Sequence, residues 1–144
     1  MASHHPSPEV IAHIDGASRG NPGPAAYGVV LASDEGARLT TLSKTIGHAT
    51  NNVAEYHGLL AALEYALEHD FRRLKVLSDS ELMARQIQGA YKVKSPDLKP
   101  LYERARSAIA RLESFSIEHV RREHNREADK LANKALDAAE KKFQ

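Results

Sequence analysis

The spacing of apolar residues changes at Asn51, and this change constrains the fold more than any other feature of the chain. Before it, residues 10–15, 25–33 and 38–46 have the alternation or apolar runs of strands, and Gly-, Pro- and Asp-rich turns separate them. After it, apolar residues recur at helical spacing as far as His69, which predicts a long helix. We therefore expect three antiparallel strands followed by a helix.

The rest of the chain alternates helices with strands. We predict a strand at 74–77, a helix at 80–88, a loop at 89–96, a helix at 98–112, a strand at 115–120 and a closing helix from 125 to about 141. Strands separated by helices run parallel through right-handed crossovers. The predicted order is β-β-β-α-β-α-α-β-α, an α/β fold with a mixed five-stranded sheet and helices packed on it.

Length and composition exclude several classes of protein. The 144 residues suit one domain, predicted at 10–141 after a disordered tail at 1–9. The chain has no cysteine, which excludes thiol catalysis and thiolate metal sites and is compatible with a reducing cytoplasm. It has neither a signal-peptide pattern at its start nor an apolar run of ~20 residues. We expect a cytoplasmic monomer with no membrane association and no obligate protein partner.

Four carboxylates stand at the ends of predicted elements: Asp15, Glu55, Asp79 and Asp129. Each has an ordinary structural explanation, as a turn residue, a capping residue or a partner of a helix dipole. However, Glu55 shares the apolar face of its helix, where an unpaired carboxylate is costly. Asp79 follows a parallel strand at the sheet edge where open sheets place their sites.

Several carboxylates that converge without matching cations repel one another, and a divalent cation removes this conflict. Carboxylate and water oxygens suit Mg²⁺ or Mn²⁺ rather than zinc. The net charge of +1 means that any binding of nucleic acid requires a local basic patch.

Five segments together resemble type 1 ribonuclease H. They are HIDGASRGNPGPAAYG at 13–28, ATNNVAEYHGLLAAL at 49–63, LSDSELMARQIQG at 77–89, YKVKSPDLKPLY at 91–102 and HVRREHNREADKLANKAL at 119–136. The resemblance implies a short form of the family, which lacks the basic protrusion found in many members and a separate hybrid-binding domain. Residues 10–141 would then be the catalytic domain.

The resemblance also implies an activity. The family hydrolyses the RNA strand of RNA–DNA hybrids by two-metal catalysis and leaves 5′-phosphate and 3′-hydroxyl ends. Its catalytic and metal-binding acids fall on Asp15, Glu55, Asp79 and Asp129, with Asp15 bridging two Mg²⁺ ions and Asp129 mostly on the nucleophile side. Mn²⁺ is expected to substitute for Mg²⁺.

The resemblance further implies a set of substrate contacts. Thr50 resembles a residue that grips a phosphate of the DNA strand, and Asn21, Asn51 and Asn52 resemble minor-groove contacts. Gly16, Ala17, Ser18, Glu55 and Ser80 are expected to approach RNA 2′-hydroxyls. Because the basic protrusion is missing, the local positive charge is expected to come from Lys92, Lys94 and Lys99. Asn125 is the last of the predicted substrate contacts.

Two residues before the last acid have competing interpretations. His124 either assists catalysis, as a loop histidine does in many family members, or is a solvated residue before the helix. Asn125 is also the expected N-cap of the closing helix.

Three rival functions share this fold. A non-catalytic nucleic-acid-binding module usually loses one of the acids, and all four are present. An actin-like ATPase needs two lobes, and this length supplies one. The nuclease domain of a reverse transcriptase would be joined to polymerase sequence, so we expect a free-standing enzyme.

Overall fold

The computed structural model describes residues 8–141. Residues 1–7 of the predicted disordered tail lie outside the described residues. The prediction of a tail through residue 9 is wrong at its end, because Glu9 pairs with Arg73 and already belongs to the first strand.

The element order confirms the predicted β-β-β-α-β-α-α-β-α fold. The elements are β1 Glu9–Ser18, β2 Gly23–Ser33, β3 Arg38–Ala49, α1 Asn51–Glu68, β4 Arg73–Ser78, α2 Glu81–Ile87, α3 Lys99–Ala110, β5 Ser114–His119 and α4 Arg126–Lys141. A short 3-10 helix, Arg122–His124, precedes α4 and was not predicted.

The strands form one mixed sheet in the order β3-β2-β1-β4-β5. β2 pairs antiparallel with both β1 and β3, and β4 pairs parallel with both β1 and β5, which confirms the predicted senses of the strands. The parallel pair β1 and β4 occupies the centre of the sheet, so the carboxyl ends of these strands meet at one edge. Acidic residues at both ends are thereby brought together.

The first hairpin is longer than its sequence suggests. Residues 16–24 were predicted as a turn, but pairing of β1 with β2 continues to Ser18 and Ala25. The turn is confined to the segment around Gly20 and Asn21, which have φ values of 114° and 27°. Glycine adopts a positive φ without steric cost, which allows the chain to reverse at Gly20. The small residues on either side of the turn remain paired in the two strands.

The sheet is covered on both faces. α1 buries Ala54, Leu59, Ala62, Leu63 and Ala66 against one face, which confirms the apolar stripe read from the sequence. α4 packs on the other face, mainly over β2 and β1. Gly28 permits this approach, because a Cβ atom there would lie 2.2 Å from the carbonyl oxygen of Ala128.

The connection between α2 and α3 is short and carries no additional helix. This confirms the absence of a basic protrusion at this position. Among the described residues, no helix has both the length and the apolar character needed to cross a bilayer.

Candidate active site: a carboxylate cluster at the end of the central strands

Four elements bring the predicted acids to one edge of the sheet. Asp15 lies near the end of β1, Asp79 directly follows β4, Glu55 lies in α1 and Asp129 lies in the first turn of α4. Thr50, rather than a later residue, caps α1 by accepting a hydrogen bond from the N–H of Val53. Glu55 therefore lies in the second turn of the helix.

The acids are close and largely removed from water. Carboxylate oxygens of Asp15, Glu55 and Asp79 lie within 4.8 Å of one another, and Asp15 and Glu55 are only 5% and 7% exposed. Gly16 permits this closeness, since a Cβ atom at that position would lie 2.3 Å from the backbone nitrogen of Glu55. A glycine directly after Asp15 is thus required for α1 to approach β1 this closely.

Burial and mutual repulsion disfavour ionisation in this cluster. Burial, then the charges of Glu55 and other acids and a hydrogen bond with Asp129, raise the pKa of Asp15 from 3.8 to about 10. Burial and then the charge of Asp79 raise the pKa of Glu55 well above its ordinary value, while the backbone N–H of Gly16 opposes this shift. Without a cation, the protein therefore holds protons among these carboxyl groups.

The residues fit a divalent cation. Oε2 of Glu55 is buried and has no hydrogen-bond partner, although buried polar atoms normally have one. The cluster opens onto a cleft of about 390 Å³ that is lined by all four acids. Grouped carboxylates that face a polar cleft are an oxygen donor set of the kind that divalent metals prefer.

This arrangement predicts the pH dependence of stability. The folded-state pKa values of Asp15 and Glu55 are raised, so their stabilising contribution is complete below the unfolded values, near 4, and is lost as pH rises through the folded values, which for Asp15 is about 10. Thermal unfolding in EDTA should therefore show Tm falling from pH 5 to pH 8.5, and saturating Mg²⁺ should reduce the fall. An Asp34→Asn variant, altered at an exposed turn acid, should follow the wild type. A pH-independent Tm in EDTA would contradict the description of the cluster.

Seven of the predicted substrate contacts line this same cleft. They are Gly16, Ala17, Ser18, Asn51, Asn52, Glu55 and Ser80. The Ser18 hydroxyl donates to the carbonyl of Ala49 at 2.6 Å, so its oxygen retains an accepting lone pair. The Ser80 hydroxyl accepts from the N–H of Met83 as the N-cap of α2, which leaves its proton as a donor.

The remaining predicted contacts lie elsewhere. Thr50 lines an adjoining groove of about 480 Å³ with His48 and His57. Asn21 accepts a hydrogen bond from the N–H of Asn51 at 2.9 Å, which joins the first turn to the start of α1. Lys92 and Lys94 are exposed on the connection between α2 and α3.

The structure corrects the interpretation of the residues before α4. Asn125 is 2% exposed; its amide donates to the carbonyl of Ile14 at 2.6 Å, and its oxygen lies 3.3 Å from Nδ1 of His13. Its side chain therefore ties α4 to β1, an arrangement that favours a structural role over the predicted substrate contact. His124 lines a separate cavity of about 130 Å³ with His13 and Asn125, and not the acidic cleft.

Arg122 is the cleft residue that the sequence analysis missed. Its Nε lies 3.9 Å from Oδ2 of Asp79, and its side chain is 88% exposed. The family resemblance instead predicts a functional histidine in this loop. The 3-10 helix turns Arg122 toward the acids and His124 away from them, and the run of basic residues after β5 was the available signal.

The fold and the four carboxylates together define a ribonuclease H-like domain. The family described as reverse transcriptase-like matches residues 13–135. The chain belongs to this family, as a short type 1 ribonuclease H domain. It is 48% identical over 130 residues to ribonuclease HI of Halobacterium salinarum, covering 90% of this chain and 65% of that protein.

Solved structures agree with this assignment. RNase H1 of Halobacterium salinarum superposes with a TM-score of 0.87, covering 90% of this chain and 98% of that one. LC11-RNase H1, in complex with an RNA/DNA hybrid, has 42% identity and a TM-score of 0.86, covering 90% of this chain and 98% of that one.

A longer relative has a further segment beyond the shared domain. The bifunctional protein Rv2228c of Mycobacterium tuberculosis is 46% identical over 132 residues, covering 91% of this chain but 36% of its own length. This chain therefore spans less than two thirds of the curated relatives described here.

Proposed function

We propose that this protein is an endonuclease that hydrolyses the RNA strand of RNA–DNA hybrids and leaves 5′-phosphate and 3′-hydroxyl ends. The observation that supports this most strongly is the cluster of Asp15, Glu55 and Asp79 with Asp129 beside it, on a domain of the ribonuclease H family. A relative of the same domain, LC11-RNase H1, is known in complex with an RNA/DNA hybrid.

The four acids are proposed to hold two Mg²⁺ ions, with Mn²⁺ able to replace them. When bound, the ions supply activation of the attacking water and neutralisation of charge on the leaving 3′ oxygen. Asp15 would be the central ligand of the set, because it lies beside Glu55, Asp79 and Asp129. Glu55 offers its unpartnered Oε2, while the N–H of Gly16 holds the carboxylate in place.

The lining of the cleft suits a ribose backbone. Ser18 can accept and Ser80 can donate a hydrogen bond, which matches the dual character of an RNA 2′-hydroxyl. The exposed amides of Asn51 and Asn52 stand at the same cleft and are proposed to contact the minor groove. The groove beside Thr50 is proposed to hold a phosphate of the DNA strand.

A strand-labelled hybrid tests this proposal. With Mg²⁺ present, only the labelled RNA strand should shorten, and its downstream fragments should be ligatable without prior phosphorylation because they carry 5′-phosphate ends. With EDTA in place of Mg²⁺, both strands should stay intact. Cleavage that persists in EDTA would contradict the metal-dependent mechanism.

Binding of the hybrid should depend only weakly on salt. The exposed lysines of the α2–α3 connection, Lys92 and Lys94, are the proposed phosphate contacts on that side. Each phosphate neutralised contributes about −0.9 to the slope of log affinity against log salt concentration, so Lys92→Ala and Lys94→Ala should each flatten the slope by about one. Fluorescence anisotropy in Ca²⁺ measures this slope without requiring turnover. Lys75→Ala is the control, since Lys75 is paired with Glu118, and it should leave the slope unchanged.

A cytoplasmic monomer without an obligate protein partner remains the prediction from the sequence. The substrate proposed here, an RNA–DNA hybrid, requires no second protein at the cleft.

A further inference from the structure

A chain of hydrogen bonds connects the first turn of the protein to the acid on α4. Nδ2 of Asn133 lies 3.1 Å from Oδ1 of Asp129 and 3.0 Å from the carbonyl oxygen of Asp129. Nη2 of Arg19 lies 3.4 Å from Oδ1 of Asn133 and 3.3 Å from the carbonyl oxygen of Asn133. Neither Arg19 nor Asn133 was singled out by the sequence.

Arg19 is held firmly against α4. Its guanidinium forms ion pairs with Asp137 at 2.7 Å and with Glu140 at 2.6 Å, and its side chain is 32% exposed. Its backbone N–H donates to the carbonyl of Pro24 at 2.8 Å. The guanidinium is therefore fixed both by the turn that carries it and by the acidic residues along α4.

The chemistry of these groups fixes the direction of the Asn133 amide. A guanidinium has only donors, so the atom of Asn133 that faces Arg19 must be the carbonyl oxygen. The NH₂ group then necessarily faces Asp129. One oxygen of the Asp129 carboxylate accepts this bond, and the carboxylate is held beside Asp15, to which it is hydrogen-bonded.

We propose that Asn133 is a positioning residue for Asp129, and that Arg19 sets the orientation of the Asn133 amide. The inference rests on the proposed role of the four acids in binding metal. Partners that orient a metal-binding side chain typically change metal affinity or activity by about 10–100-fold when they are removed. The same turn carries Asn21, which is bonded to the start of α1, so the chain of contacts joins the acid on α4 to the substrate side of the cleft.

Direct Mn²⁺ titration of the full chain, followed by the electron paramagnetic resonance signal of free Mn²⁺, tests the proposal without turnover. Asn133→Ala should weaken Mn²⁺ binding about 10-fold or more. Alanine has a higher helix propensity than asparagine, so the substitution does not by itself weaken α4. Arg19→Met should weaken binding in the same direction, and the Arg19→Met/Asn133→Ala double variant should be no weaker than Asn133→Ala alone.

Two comparisons separate positioning from a general effect on the fold. In an Asp129→Asn background, Asn133→Ala should produce no further loss of Mn²⁺ affinity, because its action passes through Asp129. Arg38→Met removes another ion pair to α4, that with Glu127, and should leave Mn²⁺ affinity unchanged. Wild-type affinity in Asn133→Ala, or an equal loss with and without Asp129, would overturn the inference.

The outcome for Asp15→Asn distinguishes this inference from the function on which it rests. If Asp15→Asn binds Mn²⁺ as the wild type does, the proposed metal site itself is wrong. If Asp15→Asn loses binding while Asn133→Ala keeps it, only the positioning role fails.

Discussion

Asp15→Asn is expected to lower the rate of RNA cleavage by about 10³-fold or more, and at the same time to raise Tm in EDTA. Asp15 lies beside Glu55, Asp79 and Asp129, so its loss removes the central carboxylate of the set that would hold the cations. Metal ions contribute several kcal/mol to charge stabilisation in the transition state, and each ~1.4 kcal/mol corresponds to a factor of ten. Single-turnover cleavage of a labelled hybrid measures the first effect.

The rise in Tm follows from the same contacts. Asparagine has the shape of aspartate but carries no charge, and its amide can donate to the neighbouring carboxylates. At neutral pH the buried Asp15 has to take up a proton on folding, whereas asparagine is neutral in both states, so the substitution removes this cost and should raise Tm in EDTA by about 2–4 °C for each kcal/mol gained. Asp34→Asn is the matched control and should alter neither the rate of RNA cleavage nor Tm in EDTA. A loss of both activity and stability would instead assign Asp15 an ordinary structural role.

Replacing about four consecutive ribonucleotides at a preferred cleavage position with deoxyribonucleotides should reduce cleavage there by about 10²-fold or more. The cleft walls near Gly16, Ser18 and Ser80 are proposed to contact 2′-hydroxyls. Each hydrogen bond contributes about 0.5–1.5 kcal/mol, so the loss of three or four removes enough binding energy for this decrease. A gel of the end-labelled RNA strand measures the rate at the substituted position.

The matched control moves the deoxy segment to the far end of the same strand. Cleavage at the original position should then proceed at the unmodified rate. Equal cleavage with either placement would mean that the protein does not require 2′-hydroxyls beside the cut, and the contacts proposed for Ser18 and Ser80 would be wrong.

The sequence predicts the parts of this molecule that depend on periodicity. The alternation around His13 and the helical stripe from Ala54 to Ala66 each follow from burial of one face, so the order of the elements along the chain and the position of α1 could be inferred. The meeting of Asp15 with Asp79 follows as well, because parallel neighbours end at the same edge. These relations depend on residue type and spacing and are insensitive to small shifts of backbone.

The parts that could not be predicted depend on local rotation of the backbone. A single turn of 3-10 helix decides that Arg122 faces Asp79 while His124 lines another cavity. Burial of Asn125 depends on a carbonyl of β1 more than a hundred residues earlier in the chain. Asparagine before a helix is typical of an N-cap. Nothing in the neighbouring sequence indicates that its side chain will instead form a hydrogen bond with a strand.

The central claim is tested most directly by comparing cleavage of three substrates of one sequence in Mg²⁺. They are an RNA–DNA hybrid, an RNA duplex and a DNA duplex, and each is labelled on either strand. The account predicts efficient cleavage of the RNA strand of the hybrid alone, with nearly uniform cutting along the sequence, since minor-groove contacts from Asn51 and Asn52 discriminate poorly among bases. Comparable cleavage of the RNA duplex, or efficient cleavage of any DNA strand, would contradict it.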